Sequence, residues 1–302
     1  MSRLKGSFEV LAIVWKVMGE RRLGLVAAGV AFFTMLALFP GLAALIALVG
    51  FWADPEVVRD SLEMARDFVP EEAFAILDDQ AQRLVRGGNS GLGLASLISL
   101  AAAIWSARLG VGALTQGMNA IYGGTPRSGI WDILLALTLT GILIGVGMVS
   151  IAAILLTPLI LAIVAIFLPQ DMMLFWIAEI LRWGIALSAM IFGLGIFYRY
   201  GPNRPKTKRS PFLSGGLVLA ILLWAAASVG FTVFLANFGN YNEVYGSIGA
   251  VIALLMWFYI SAYAVLIGGA LNYAIEKQRR LGSGQGAMVN PEPDRTARPE
   301  TG

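Results

Sequence analysis

Three charged residues stand where charge is expensive. Arg108 directly follows the uncharged run from Gly87 to Ala107, and Glu179 and Arg182 precede the run from Trp183 to Tyr198. At ~1.5 Å of rise per residue the second run covers only about 24 Å, so its helix must start earlier and draw Glu179 and Arg182 toward the bilayer. At i,i+3 those two share a helix face, and a carboxylate beside a guanidinium lowers the cost of placing either there. The reading puts Arg108 toward the cytoplasmic end of the second span and Arg182 toward the outer end of the fourth. Intramembrane ionisable groups mark pathways, so Arg108, Glu179 and Arg182 are candidates to line an internal path for an amphipathic anion, with Asn119, Tyr245 and Asn272 as polar neighbours. The competing reading has each arginine snorkelling to headgroups while the polar residues bond between helices.

Bond-making chemistry finds little support. The chain has no His and no Cys, which removes thiolate metal sites, the commonest metal ligand and the usual general base near neutral pH. No G-x-S-x-G, H-E-x-x-H or P-loop occurs. The expectation is a non-enzyme without catalytic, metal or cofactor-binding residues. Carboxylates are dense only between Asp54 and Arg86, which hold nine of the nineteen acids.

The elements that position these residues read as membrane helices. Of 302 residues 58% are hydrophobic and 14% charged, against about 25% charged in soluble proteins. Before the first span, Phe8, Leu11, Trp15 and Met18 recur at helical spacing opposite Glu9, Lys16 and Glu20, which predicts a cytoplasmic interfacial helix over 1–22. A six-span membrane domain follows over 23–280. Its first span runs from Leu23 to Ala53, with a kink or helix break expected at Pro40 and Gly41, or else a tolerated bend. Charged residues interleaved with Val58, Leu62, Phe68 and Leu77 predict a small helical extracytoplasmic cap over 54–86, divided at Pro70. Leu109 to Tyr122 reads as a further helical segment before the loop at Thr125. Pro158 is expected to end the regular helix of the third span, in which Gly141 and Gly145 form a GxxxG pair suited to close packing, more within one chain than in a homo-oligomer. Residues 281–302 are too polar to order themselves and predict a disordered cytoplasmic tail. The fold class is therefore all-α: a polytopic six-helix bundle with an interfacial helix and a cap.

Four of the 22 Lys and Arg lie in the acidic loop and Arg182 lies in the fourth span; six spans place the remaining 17 on one side. Basic loops stay cytoplasmic, so both termini are expected inside and the acidic loop outside. The basic loop from Arg199 to Arg209 suits membrane lipids as partners better than nucleic acid, because beyond Tyr200 no aromatic residue stands among its charges to stack on bases.

The final apolar stretch, YGSIGAVIALLMWFYISAYAVLIGGALN from Tyr245, carries more small and aromatic residues than hydropathy requires. Together with AAGVAFFTMLALFPGLAAL from Ala27, WSARLGVGALTQGMNAIYG from Trp105 and YRYGPNRPKTKRSPFLSGGLVLAILLW from Tyr198, it resembles the YihY/BrkB family of bacterial inner-membrane proteins, once labelled ribonuclease BN. Members often carry a Glu before the Asn of the last motif, where this chain has Leu271 before Asn272. The resemblance implies an inner-membrane protein. Two functions stay open: a transporter or exporter of a lipid or other amphipathic solute, and a non-transporting scaffold whose acidic loop contacts cell-envelope proteins.

Overall fold

The last helix lies at the centre of the bundle. A computed structural model describes residues 2–52, 94–125, 129–167, 172–204, 210–236 and 247–282, and these form seven helices. They are α1 (Ser2–Glu20), α2 (Leu23–Trp52), α3 (Leu94–Tyr122), α4 (Ile130–Phe167), α5 (Met172–Tyr200), α6 (Gly215–Ala236) and α7 (Ser247–Gly282). α7 packs on α1, α2, α3 and α6; α2 lies along α3, and α4 along α5. The fold is all-α, and six of these helices are long and apolar enough to cross a membrane.

Helix is what an apolar chain must form where no water can satisfy its backbone. The hydroxyls obey the same constraint: Thr34, Thr115, Thr140, Ser150 and Ser228 each donate to the carbonyl four residues back, at 2.6 to 2.9 Å. The buried core joins Leu23, Met118, Ile121, Phe197, Leu217 and Leu266. It gathers at the end of the bundle where α1, residues 123–125, 201–204 and 210–214 and the C-terminal turns of α7 meet, called here the basal end. Glycines let α7 approach closely: a Cβ on Gly117 would meet Leu266 at 2.9 Å, and one on Gly269 would meet the Met118 sulfur at 2.5 Å. Gly216 of α6 and Gly268 of α7 bring backbone against backbone. The ring contacts of Trp257 with Trp224 and Phe231, at 5.8 and 5.3 Å, bind the same helix pair farther along.

α1 has two apolar faces. Val14 and Val17 are buried in the core, while Phe8, Leu11 and Trp15 point outward and exposed. The α1–α2 connection is a tight turn in which Arg22 takes φ 48°, uncommon for a residue with a Cβ.

Several sequence expectations are corrected. Helical backbone continues through Pro40 and Gly41, and α4 runs past Pro158 to Phe167. Leaving the helix in an apolar setting would expose several backbone groups, whereas proline removes one hydrogen bond. By contrast the helical reading of Leu109–Tyr122 agrees with the structure, where it is the second half of one continuous helix, α3. Nothing lies within 4 Å of a Cβ built on Gly141 or Gly145, so this pair makes no close helix contact among the described residues. The 54–86 cap, Lys206, Lys208, Arg209, Tyr245 and residues 283–302 lie outside the described residues.

Candidate functional site

Polar side chains gather at two depths of the bundle and on one outlying helix. At the basal end, the ends of α3, α5 and α7 and the start of α6 converge. Asn119 accepts the backbone N–H of Asn203 at 2.6 Å, and the Asn203 amide donates to the Thr125 carbonyl at 3.0 Å. Asn272 bridges α7 to α6: its Oδ1 accepts the Gly216 N–H at 2.8 Å and its Nδ2 donates to the Ser214 hydroxyl at 2.9 Å. Ser214 is the N-cap of α6 and accepts the Leu217 N–H at 3.2 Å. Asn272 and Ser214 thus satisfy donors that a helix start leaves orphaned.

Beside them Arg204 pairs with Glu276, which also accepts from Arg280. The Arg204 side chain is 8% exposed, lies over the Tyr122 ring at 4.0 Å, and leaves Nη1 buried with no hydrogen-bond partner. Tyr122 stands edge-on to Tyr273 at 5.7 Å and its hydroxyl lies 3.5 Å from that of Ser210. Sequence reasoning missed this pairing. Its signal was Glu276, the one acid amid Lys277, Arg279 and Arg280.

Arg108 stands alone at the second depth. It occupies the midpoint of α3, inside the Leu97–Tyr122 span, which corrects its expected place toward one end. From the Asn119–Tyr122 level it is removed by three to four helical turns, or about 16 to 20 Å at the usual rise. Its guanidinium lies over the Trp105 ring at 4.5 Å. Nε is buried without a hydrogen-bond partner, and no ion pair to Arg108 forms among the described residues.

Glu179 and Arg182 lie toward the other end of α5. Arg182 donates to Glu179 at 2.5 Å, Trp183 donates to the same oxygen at 2.8 Å, and the Arg182 Nε is buried without a partner. The expected i,i+3 pairing is therefore present. The structure does not gather the expected path residues into one chamber: Asn119 and Asn272 serve the basal network, Arg108 lies at mid-depth, and the Glu179–Arg182 pair sits on a helix that packs mainly on α4.

Six apolar spans with polar side chains confined to helix ends and a few buried positions define a polytopic α-helical membrane protein. The family model for virulence factor BrkB matches residues 14–292, and the chain belongs to that family. It is 27% identical over 259 residues to YfkH of Bacillus subtilis, named as ribonuclease-like, covering 84% of this chain and 90% of that protein. It is 26% identical over 265 residues to the UPF0761 membrane proteins XOO3417 of Xanthomonas oryzae and XCC0860 of Xanthomonas campestris, covering 85% of this chain. The chain spans 58% of the length of those two Xanthomonas relatives. No solved structure gives a significant match.

Proposed function

We propose that this chain is a bacterial inner-membrane protein that moves or exports a lipid or another amphipathic anion, with Arg108 as the charge that meets the solute's head. One observation carries the reading. A guanidinium at the middle of a span, its Nε buried without an acceptor and its face stacked on Trp105, is costly unless it serves a ligand or an aqueous cavity. Family membership supports the location. The ribonuclease wording in the name of the Bacillus relative finds little support in a chain without His or Cys, whose described residues hold no cluster of three acids.

The test is flux in proteoliposomes. Arg108→Gln should abolish movement of an anionic amphiphile while the protein still folds, and Arg108→Lys should retain only part of it, because lysine keeps the charge but not the planar fork. Undiminished flux in both variants would remove the basis for the proposal.

The reading also places both termini in the cytoplasm. A reporter fused after Arg280 or within the 199–209 loop should register cytoplasm, and one near Pro70 the outer side. A cytoplasmic signal at Pro70 would overturn that orientation.

A further inference from the structure

A slot of about 920 Å³ opens between α4 and α5, within two of the apolar spans. Gly145 and Val149 of α4 and Leu181, Gly184, Ser188 and Phe192 of α5 form its walls, and Ser188 supplies their only side-chain hydroxyl. The helices approach closely where a Cβ on Gly193 would meet Val146 at 3.1 Å. Two to three turns earlier in α5, nothing lies within 4 Å of a Cβ on Gly184. Among the described residues no side chain fills this space. In an apolar span, hydrocarbon must.

A cation stands at the rim. Arg182 lies three and seven residues before Ile185 and Ala189, which also line the slot, so the three share one helical stripe. Helical side chains lean toward the N-terminus, so the guanidinium extends past the slot toward the start of α5. It keeps one bond to Glu179, leaves Nε unpartnered and is 21% exposed, with the Trp183 ring 5.6 Å away. Trp176 and Trp183 are both exposed on this part of α5. Indoles with a long cation at the end of an apolar groove match the layering of a lipid, with tail below and headgroup above.

We propose that the α4–α5 slot holds one anionic phospholipid, with an acyl chain between Gly145 and Gly184 and its phosphate on Arg182. A second copy of the chain fits less well, because it would bury the Glu179–Arg182 pair against protein and offer no further acceptor to the arginine, whereas a phosphodiester brings acceptors of opposite charge. The volume lies within the about 300–1,000 Å³ typical of ligand clefts. This site is separate from Arg108, and lipid bound there requires no transport.

The experiment is native mass spectrometry of the full chain, released from nanodiscs containing equal amounts of phosphatidylglycerol and phosphatidylcholine with matched chains. The wild type should retain one phosphatidylglycerol. Gly184→Leu and Ser188→Phe, which fill the slot from an open wall, should lose that lipid with an unchanged melting temperature. Arg182→Gln should keep a lipid but cut the preference for phosphatidylglycerol roughly tenfold, as loss of a charge-assisted hydrogen bond implies, while Arg182→Lys keeps most of it. Equal retention by the filled-slot variants would assign the lipid to the general annulus and overturn the proposal. So would a dimer that Gly145→Leu converts to monomer, since a second copy would then occupy the slot. These outcomes are read from binding, and leave the flux result at Arg108 to stand or fall on its own.

Discussion

Gly268→Ala is expected to cost the bundle about 3 kcal/mol or more, beyond the usual range for an overpacked core. The added carbon would overlap the Gly216 carbonyl oxygen and the Tyr198 hydroxyl, and come within 2.9 Å of the Ala220 Cβ. The first obstacle is backbone, and relief requires α6 and α7 to separate along their contact. The second displaces a phenol that donates to the Val265 carbonyl at 2.7 Å, so a hydrogen bond is lost with the packing. Gly216→Ala should behave alike, since its Cβ would overlap the Gly268 carbonyl and meet the Asn272 side chain at 2.6 Å. Gly230→Ala, on the same helix with nothing within 4 Å, is the control and should be silent or stabilising by about 0.5–1 kcal/mol. Unfolding in detergent decides it: comparable midpoints for all three alanines would mean that α6 and α7 do not meet at these glycines.

Glu276→Gln should be the most damaging single change among the basal side chains. It leaves Arg204, 8% exposed, with its charge uncompensated, and breaking a buried pair from one side costs about 3–5 kcal/mol. Glu276 is itself 30% exposed, which puts the expected loss near the lower figure and makes it sensitive to salt. Arg204→Met combined with Glu276→Leu removes both charges and should be less destabilised than Glu276→Gln alone. If the double variant instead melts lower than the single one, the stack of Arg204 on Tyr122, rather than the ion pair, dominates the contact.

Much of the architecture was legible because lipid imposes it. Hydropathy fixes span count and position closely, and the first span, read as Leu23 to Ala53, emerges as Leu23–Trp52. The Glu179–Arg182 pair follows from helical spacing alone. Helix continues through Pro40 and Pro158, although proline ends helices in soluble proteins, because unravelled backbone has no water there. Arg108 lies at the midpoint of α3 rather than toward one end, because the helix that begins at Leu94 continues past it as far as Tyr122. In the basal network the interhelical bonds of Asn119 and Asn272 were legible as one reading, whereas the Arg204–Glu276 pair was not. Arg204 and Glu276 sit in segments whose charge is already explained by topology, and a pairing across 72 residues leaves no local pattern.

The reach of those basal bonds also bears on how the chain is made. Asn272 completes the start of α6 from 58 residues beyond Ser214, and Glu276 follows Arg204 by 72 residues. At about 5–20 residues per second of synthesis, Arg204 and the first turn of α6 wait several seconds for their partners. During that interval the earlier spans are inserted but unlocked, and α7 closes the basal end when it arrives. A nascent chain stopped before Asn272 should therefore be handed to quality-control proteases even with five spans already in place, so α7 acts as a checkpoint of assembly.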